Sequence, residues 1–185
     1  NAQATALDTM AFGVNALASQ GNATAIGRDA QATSTNAIAV GLFSKASGNV
    51  AVAIGMNSTA LANESMAIGA FANSSENNGL ALGTNAQAIA VNAMALGTES
   101  YANTLDAFAA GLRSRATGVN SMALGMLSNA SNTNAFSAGS CANALGINSL
   151  AYGTQAYANA GNSMATGTRA NATGTDAIAA GVCAL

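Results

Sequence analysis

The sequence predicts an all-β fold, a parallel β-solenoid, on three observations: a strict repeat, small residues at alternate positions, and turn residues between them. The repeat is marked by the motif Ala-x-Gly, in which Ser137 once replaces the alanine. Every interval between these glycines is 14 residues, without insertion or deletion, so each repeat is one identical structural step. The thirteen glycines are Gly13, Gly27, Gly41, Gly55, Gly69, Gly83, Gly97, Gly111, Gly125, Gly139, Gly153, Gly167 and Gly181.

Small residues occupy four positions of each repeat, namely two, four, nine and eleven places before the glycine. Ala37 and Ala39 illustrate the first pair, and Ala30 and Ala32 the second. The spacing of two within a pair is the alternation of a β-strand, whereas a helical stripe would recur at three and four residues. Each glycine would also cost about 0.5–1 kcal/mol inside a helix. We therefore expect two short strands per coil, whose small faces meet across a narrow interior of alanine and serine.

Turn residues separate the two predicted strands. The place five before the glycine holds Asn or Asp in most repeats, and both residues tolerate left-handed backbone and bond their own main chain. Stacked copies can form a ladder of side-chain hydrogen bonds, and the repeated glycine marks the other corner. Thirteen coils at about 4.8 Å per strand predict a rod about 60 Å long.

A band of large apolar residues lies three and one places before the glycine, on the outer face of the first strand. Monomers rarely expose apolar patches above roughly 300–600 Å², so we expect this band to be buried against other chains. A large residue often pairs with a small one, as Phe108 does with Ala110. The alternative is that the band forms an intramolecular core and the alanines face outward. The predicted interface residues are Ile38, Val40, Val52, Ile54, Met66, Ile68, Leu80, Leu82, Met94, Leu96, Phe108, Met122, Leu124 and Phe136.

A variable and mostly polar face lies ten and twelve places before the glycine, on the outer side of the second strand. A solenoid presents a binding surface in this way, and aromatic residues anchor interfaces. The alternative is that scattered exposed apolar residues are normal on any protein surface. The candidate ligand-binding residues on the outer face are Phe43, Lys45, Phe71, Tyr101, Arg113, Arg115, Leu127 and Tyr157.

Composition argues against several classes of function. The chain of 185 residues has a net charge of −2 and five Lys and Arg without a basic stripe, which argues against a nucleic-acid partner. It has no run of about 20 apolar residues, so we expect no membrane contact by this segment. Histidine, the commonest catalytic base and metal ligand, is absent, and we predict no enzyme, metal site or cofactor. Cys141 and Cys183 lie three coils apart, about 14 Å by strand spacing, too far for a disulfide.

The segments NAIAVG at Asn36–Gly41, NAMALG at Asn92–Gly97 and NSMALG at Asn120–Gly125 resemble the head repeats of trimeric autotransporter adhesins, the YadA-like family. The resemblance implies a left-handed parallel β-roll, a parallel homotrimer, display outside the cell on a bacterial outer membrane, and adhesion to host matrix or cell-surface receptor proteins. It also implies that residues 1–185 are one head domain, a fragment of a longer chain. Two alternatives remain open: a spacer in a viral or phage fibre, and an ice-binding solenoid, for which threonine arrays here are short.

Overall fold

The protein is described here by a computed structural model that covers residues 1–185. It consists of 26 short β-strands and contains no helix, so no helix of the kind that crosses membranes is present. The chain divides into two compact units, residues 1–92 and residues 93–185. In each unit it winds as a parallel β-solenoid, and it makes about thirteen turns of about 14 residues in all. The predicted all-β class, the parallel β-solenoid and the number of coils are confirmed.

Unit 1 contains strands β1 to β13. The two-residue strands form one parallel sheet in the order β1 (Gln3–Ala4), β3 (Leu17–Ala18), β5 (Gln31–Ala32), β7 (Lys45–Ala46), β9 (Thr59–Ala60), β11 (Asn73–Ser74) and β13 (Gln87–Ala88). The three-residue strands form a second parallel sheet in the order β2 (Met10–Phe12), β4 (Thr24–Ile26), β6 (Ile38–Val40), β8 (Val52–Ile54), β10 (Met66–Ile68) and β12 (Leu80–Leu82).

Unit 2 contains strands β14 to β26 in the same arrangement. Its three-residue strands are β14 (Met94–Leu96), β16 (Phe108–Ala110), β18 (Met122–Leu124), β20 (Phe136–Ala138), β22 (Leu150–Tyr152), β24 (Met164–Thr166) and β26 (Ile178–Ala180). Its two-residue strands are β15 (Tyr101–Ala102), β17 (Arg115–Ala116), β19 (Asn129–Ala130), β21 (Asn143–Ala144), β23 (Tyr157–Ala158) and β25 (Asn171–Ala172).

The register of both sheets follows the repeat without a slip. Ile38 pairs with Val52 in one sheet and Gln31 with Lys45 in the other, so partners are always equivalent residues of adjacent coils. Each column of the sequence is therefore a physical column of side chains, stacked at one strand spacing of about 4.8 Å.

The interior of each coil is built from alanine and serine. Outside the terminal coils, alanines at the four small positions are almost completely buried, and no fully buried side chain is larger than serine. The large apolar residues lie on the outside, so the alternative that they form the core with the alanines facing out is wrong. The reason is geometric: with strands of two and three residues, the two sheets of a coil lie too close together to hold a larger side chain.

Buried serines are accommodated by hydrogen bonds to the backbone of their own coil. The Ser44 hydroxyl donates to the Gly41 carbonyl at 3.0 Å, and the Ser137 hydroxyl donates to the Ala142 carbonyl at 2.8 Å. Ser74 is different, because its buried Oγ has no hydrogen-bond partner. Gly79 stands beside it, where a Cβ atom would collide with the Ser74 hydroxyl. The isolated Gly79 is therefore explained by its neighbour rather than by a turn.

The repeated glycine does mark a corner, as predicted. At Gly41 the φ angle is +132°, and a Cβ there would lie 2.5 Å from the carbonyl oxygen of Gly55 in the next coil. Both the left-handed region and the close approach of the next coil exclude a side chain, which explains why the glycine recurs in every coil.

Candidate protein-binding surfaces

The first candidate surface is the apolar band, the outward side chains of the three-residue strands. Ile38, Ile54 and Met66 in unit 1 are each 37% exposed, and the other predicted interface residues are half-buried or exposed. In unit 2, Met122 is 36% exposed and Tyr152 61%. Neighbouring coils shield the flanks of these side chains but leave their ends uncovered. The structure thus places every predicted interface residue on one outer sheet face of its unit.

A shallow depression of about 460 Å³ interrupts this band in unit 2. It lies over Ala138, whose small side chain stands between Leu124 and Tyr152 in the same column, and it is bordered by Gly139 and Thr154. A small residue between two large ones leaves a recess that could receive an apolar side chain from another molecule.

The second feature is a corner that we call the ladder corner, the residues five places before each glycine. These residues have φ between 54° and 59°, and Asn or Asp fills all but two coils, those of Val50 and Glu64. In unit 2 the Asn134 side-chain nitrogen donates to Asn148 at 3.0 Å, and Asn148 donates in turn to Asn162 at 3.1 Å. The ladder predicted from the sequence is therefore present.

The third feature is the variable corner, the residues two places after each repeated glycine and so twelve places before the next one. Their φ angles, 54° to 58° in most coils and 59° at Phe71, match those of the ladder corner. Their identities do not match, because Asn or Asp occurs only at Asn15, Asp29, Asn57 and Asn85. A left-handed residue other than glycine costs roughly 1–2 kcal/mol, less for Asn and Asp. The variable corner residues are Asn15, Asp29, Phe43, Asn57, Phe71, Asn85, Glu99, Arg113, Leu127, Cys141, Gln155, Arg169 and Cys183.

The structure separates the predicted ligand-binding residues into two groups. Phe43, Phe71, Arg113 and Leu127 lie at the variable corner, and the expectation that they share the outer strand face is wrong. The two-residue strands begin two positions later, so only the place ten before the glycine lies on that face. The occurrence of Asn15, Asn57 and Asn85 in the corner column is the signal in the sequence that indicates left-handed backbone there.

The other predicted residues, Lys45, Tyr101, Arg115 and Tyr157, do lie on the outer face of the two-residue strands. In unit 2, Tyr101 pairs directly with Arg115 in the sheet, and the guanidinium lies 5.4 Å from the centroid of the Tyr101 ring. In unit 1, Arg28 lies 5.5 Å from the ring centroid of Phe43. Such cation–π contacts hold an aromatic ring and a cation together at the surface.

One ion pair orders the variable corner of unit 2. Arg113 Nε donates to Glu99 Oε2 at 2.7 Å, and Arg113 Nη2 donates to Glu99 Oε1 at 3.3 Å. The hydrogen bond from Arg113 lowers the pKa of the Glu99 carboxyl below its ordinary value, and the same contact raises the pKa of Arg113. Three coils further on from Leu127, Arg169 Nε donates to the side-chain oxygen of Gln155 at 3.0 Å.

No cluster of three or more His, Cys, Asp and Glu residues that could hold a metal is present. Cys141, which is half-buried, and Cys183, which is exposed, are free thiols at the variable corner.

The chain matches a known protein family. The family model described as YadA head domain repeat (2 copies) matches residues 4–30, 32–58, 59–86, 88–114, 116–141, 144–170 and 158–182. The matched stretches cover most of the sequence and mainly follow pairs of coils. A search of curated proteins found no match.

Proposed function

This chain belongs to the family of YadA head domain repeats, and on that premise we propose that it is an adhesin head that attaches a bacterial cell to host matrix or cell-surface receptor proteins. Heads of this family belong to trimeric autotransporters on the bacterial outer surface. The family and the β-solenoid fold indicate a structural, adhesin-type segment rather than an enzyme. The match does not favour the alternative of a viral or phage fibre spacer.

The observation that carries the proposal is the position of the large apolar residues. The chain buries alanine and serine completely and leaves its large apolar side chains on an outer sheet face. A face of this kind on a soluble protein marks a surface that another molecule covers. In a parallel homotrimer, three copies of the apolar band would cover one another, and the proposed contact residues are those of the band, from Ile38 to Phe136.

The trimer leaves the other surfaces of each chain for a partner. The outer face of the two-residue strands carries Lys45, Tyr101, Arg115 and Tyr157, and the variable corner carries Phe43 and other exposed residues. These side chains vary from coil to coil on a constant backbone, which is how solenoid proteins present specific binding surfaces. We assign adhesion to this surface and assembly to the apolar band.

Light scattering of the purified chain tests the assembly. We expect a mass about three times the 17.8 kDa of one chain. A soluble monomer at micromolar concentration would contradict the trimer, because the apolar band would then be stable in water.

Attachment is tested separately, by measuring whether the purified trimer binds immobilised matrix proteins and cultured host cells. We expect saturable binding to at least one of them. A trimer that binds none would retain the assembly and refute the adhesive role.

A further inference from the structure

In every coil of unit 2, the variable corner holds a residue type that disfavours left-handed backbone. The variable-corner residues of this unit, from Glu99 to Cys183 at intervals of 14, include no Asn, Asp or Gly. The φ angles of all thirteen variable-corner residues nevertheless lie near +57°. The ladder corner of the same unit holds only Asn or Asp, from Asp106 to Asp176. The left-handed φ is the same at both corners and therefore does not by itself explain the difference. Strained residues that the fold does not need are a feature of functional sites.

The charges of unit 2 are divided between the two corners. All three cations, Arg113, Arg115 and Arg169, lie at or beside the variable corner with one acid, Glu99. The remaining two acids, Asp106 and Asp176, are at the ladder corner. Glu99 neutralises Arg113, whereas Arg115 contacts only the Tyr101 ring, and Arg169 contacts an uncharged amide. The variable side of the unit is therefore positive, with cations that lack a carboxylate partner.

Apolar surface adjoins these cations. Leu127, one coil beyond Arg113, is 45% exposed in its left-handed position, where an asparagine would be both more soluble and less strained. Tyr101 presents its ring under Arg115. The combination of a fixed aromatic ring, an exposed leucine and arginines is typical of the residues that contribute most to protein–protein interfaces.

We propose that the variable corner of unit 2, with Tyr101 and Arg115 beside it, binds an acidic segment of a protein that also carries apolar or aromatic side chains. Carboxylates of the partner pair with Arg115 and Arg169, and its apolar side chains contact Leu127 and Tyr101. This inference rests on the proposed function, because it specifies the partner of an adhesin head. The site uses no residue of the apolar band, so assembly and binding can be tested separately.

A polyanion such as a sulfated glycan fits this surface less well. Polyanion binding needs several cations that are free of protein carboxylates, since affinity arises from the neutralised charges. Here one of three arginines is already paired with Glu99. A glycan would also leave Leu127 without an apolar contact. Charge and exposed apolar surface together favour a peptide chain.

The test uses the whole chain and a displayed library of random 12-residue peptides. Peptides selected on the native protein should be enriched in Asp and Glu next to aromatic or aliphatic residues. Fluorescence anisotropy then measures the affinity of the best synthetic peptide. We expect Arg115→Gln and Leu127→Asn each to weaken binding about tenfold, and replacement of the acids of the peptide by Gln to abolish it.

Measuring stability together with peptide affinity distinguishes a binding role of Leu127 from a purely structural one. Leu127→Asn should raise the urea midpoint, because asparagine favours left-handed backbone, while it lowers peptide affinity. The matched control is Val50→Asn at the ladder corner of unit 1, which should also raise the midpoint and leave affinity unchanged.

Three results would overturn the inference: selected peptides without acidic enrichment, peptide affinity of the Arg115→Gln and Leu127→Asn variants equal to that of the native protein, or heparin binding that competes with the peptide and depends on the same arginines. The outcome is distinct from that of the proposed function. If the trimer attaches to host proteins and a double variant, Arg115→Gln/Leu127→Asn, attaches equally well, this inference is wrong and the adhesive role stands. If acidic peptides bind but no host protein does, the adhesive role is wrong and the site stands.

Discussion

At the scale of single residues, left-handed backbone favours particular side chains, and some left-handed positions of this protein carry side chains that this conformation disfavours. Asn148 and Leu127 have the same φ of 57°. Asn148 joins a ladder of side-chain hydrogen bonds, whereas Leu127 gains nothing comparable from its own chain. A leucine in this conformation is an outlier for an L-residue, and its apolar side chain makes no hydrogen bond that offsets the cost.

Ser74 and Gly79 form a pair whose separate substitutions should not add. Gly79→Ala places a Cβ against the Ser74 hydroxyl and should destabilise the protein by about 1–3 kcal/mol. The double variant Ser74→Ala/Gly79→Ala restores alanine at two positions where it is usual, and removes a buried hydroxyl without a partner. We expect it to be at least as stable as the native protein in urea denaturation. A double variant as unstable as Gly79→Ala alone would show that the two residues are not coupled.

The Glu99–Arg113 pair predicts a pH dependence. The pKa of Glu99 is lowered in the folded protein, so the contribution of the pair is present above the ordinary glutamate pKa and is lost as pH falls through the lowered value. NMR titration of Glu99 should give a pKa below that of an ordinary glutamate, and in Arg113→Asn the pKa should return to the ordinary range. An unchanged Glu99 pKa in the variant would refute the assigned cause.

At the scale of the coil, each repeat consists of two similar halves. Each half contains a bend, then a left-handed residue, then a short strand. The halves differ at the bend. At the variable corner the bend residue is always the glycine at positive φ, whose missing Cβ leaves room for the next coil. At the ladder corner the equivalent place holds residues such as Ala62 and Gln20. The fixed glycine is thus needed by only one of the two corners.

Two glycines of neighbouring coils should respond differently to the same substitution. Gly153 has a φ of +133°, and an added Cβ would lie 2.5 Å from the Gly167 carbonyl oxygen. Gly153→Ala should therefore lower stability by more than about 2 kcal/mol. The control is Gly161→Ala, because a Cβ there would meet only the Ile147 carbonyl oxygen at 3.9 Å. Thermal unfolding should separate the two, and equal melting temperatures would contradict the assigned role of the glycine column.

At the scale of the whole molecule, apolar burial inside the chain comes almost entirely from alanine. Alanine contributes little, since burial of one methylene-sized group stabilises by about 0.8 kcal/mol, and no large side chain is fully buried. Backbone hydrogen bonds between coils provide the regular framework. The remaining apolar surface is the band, which the proposed trimer would bury.

Assembly can be tested by placing a charge on the band. Met94→Asp should prevent or weaken the trimer, because an unpaired carboxylate would be buried in each chain. Gln87→Asp is the control, since Gln87 is exposed on the outer face of the two-residue strands. Light scattering should give a lower mass for Met94→Asp only. Equal masses for the two variants would mean that the apolar band is not the contact surface.

The sequence by itself determined the period, the two strands per coil, the small interior and the apolar outer face. It could do so because, in a strict 14-residue repeat, residues 14 positions apart are neighbours in adjacent coils, as the pairing of Met94 with Phe108 shows. Side-chain size then decides which residues face the interior, since only Ala and Ser fit between strands so close together.

Only the tertiary structure decided what the position twelve before the glycine does. In the sequence this column looked like part of a strand face, because its residues vary as exposed strand residues do. The structure shows a left-handed corner at Phe43, Arg113 and Leu127. Side-chain identity is a weak guide to φ when a residue is retained in spite of its conformational preference. Strain of that kind becomes visible only when the backbone is known.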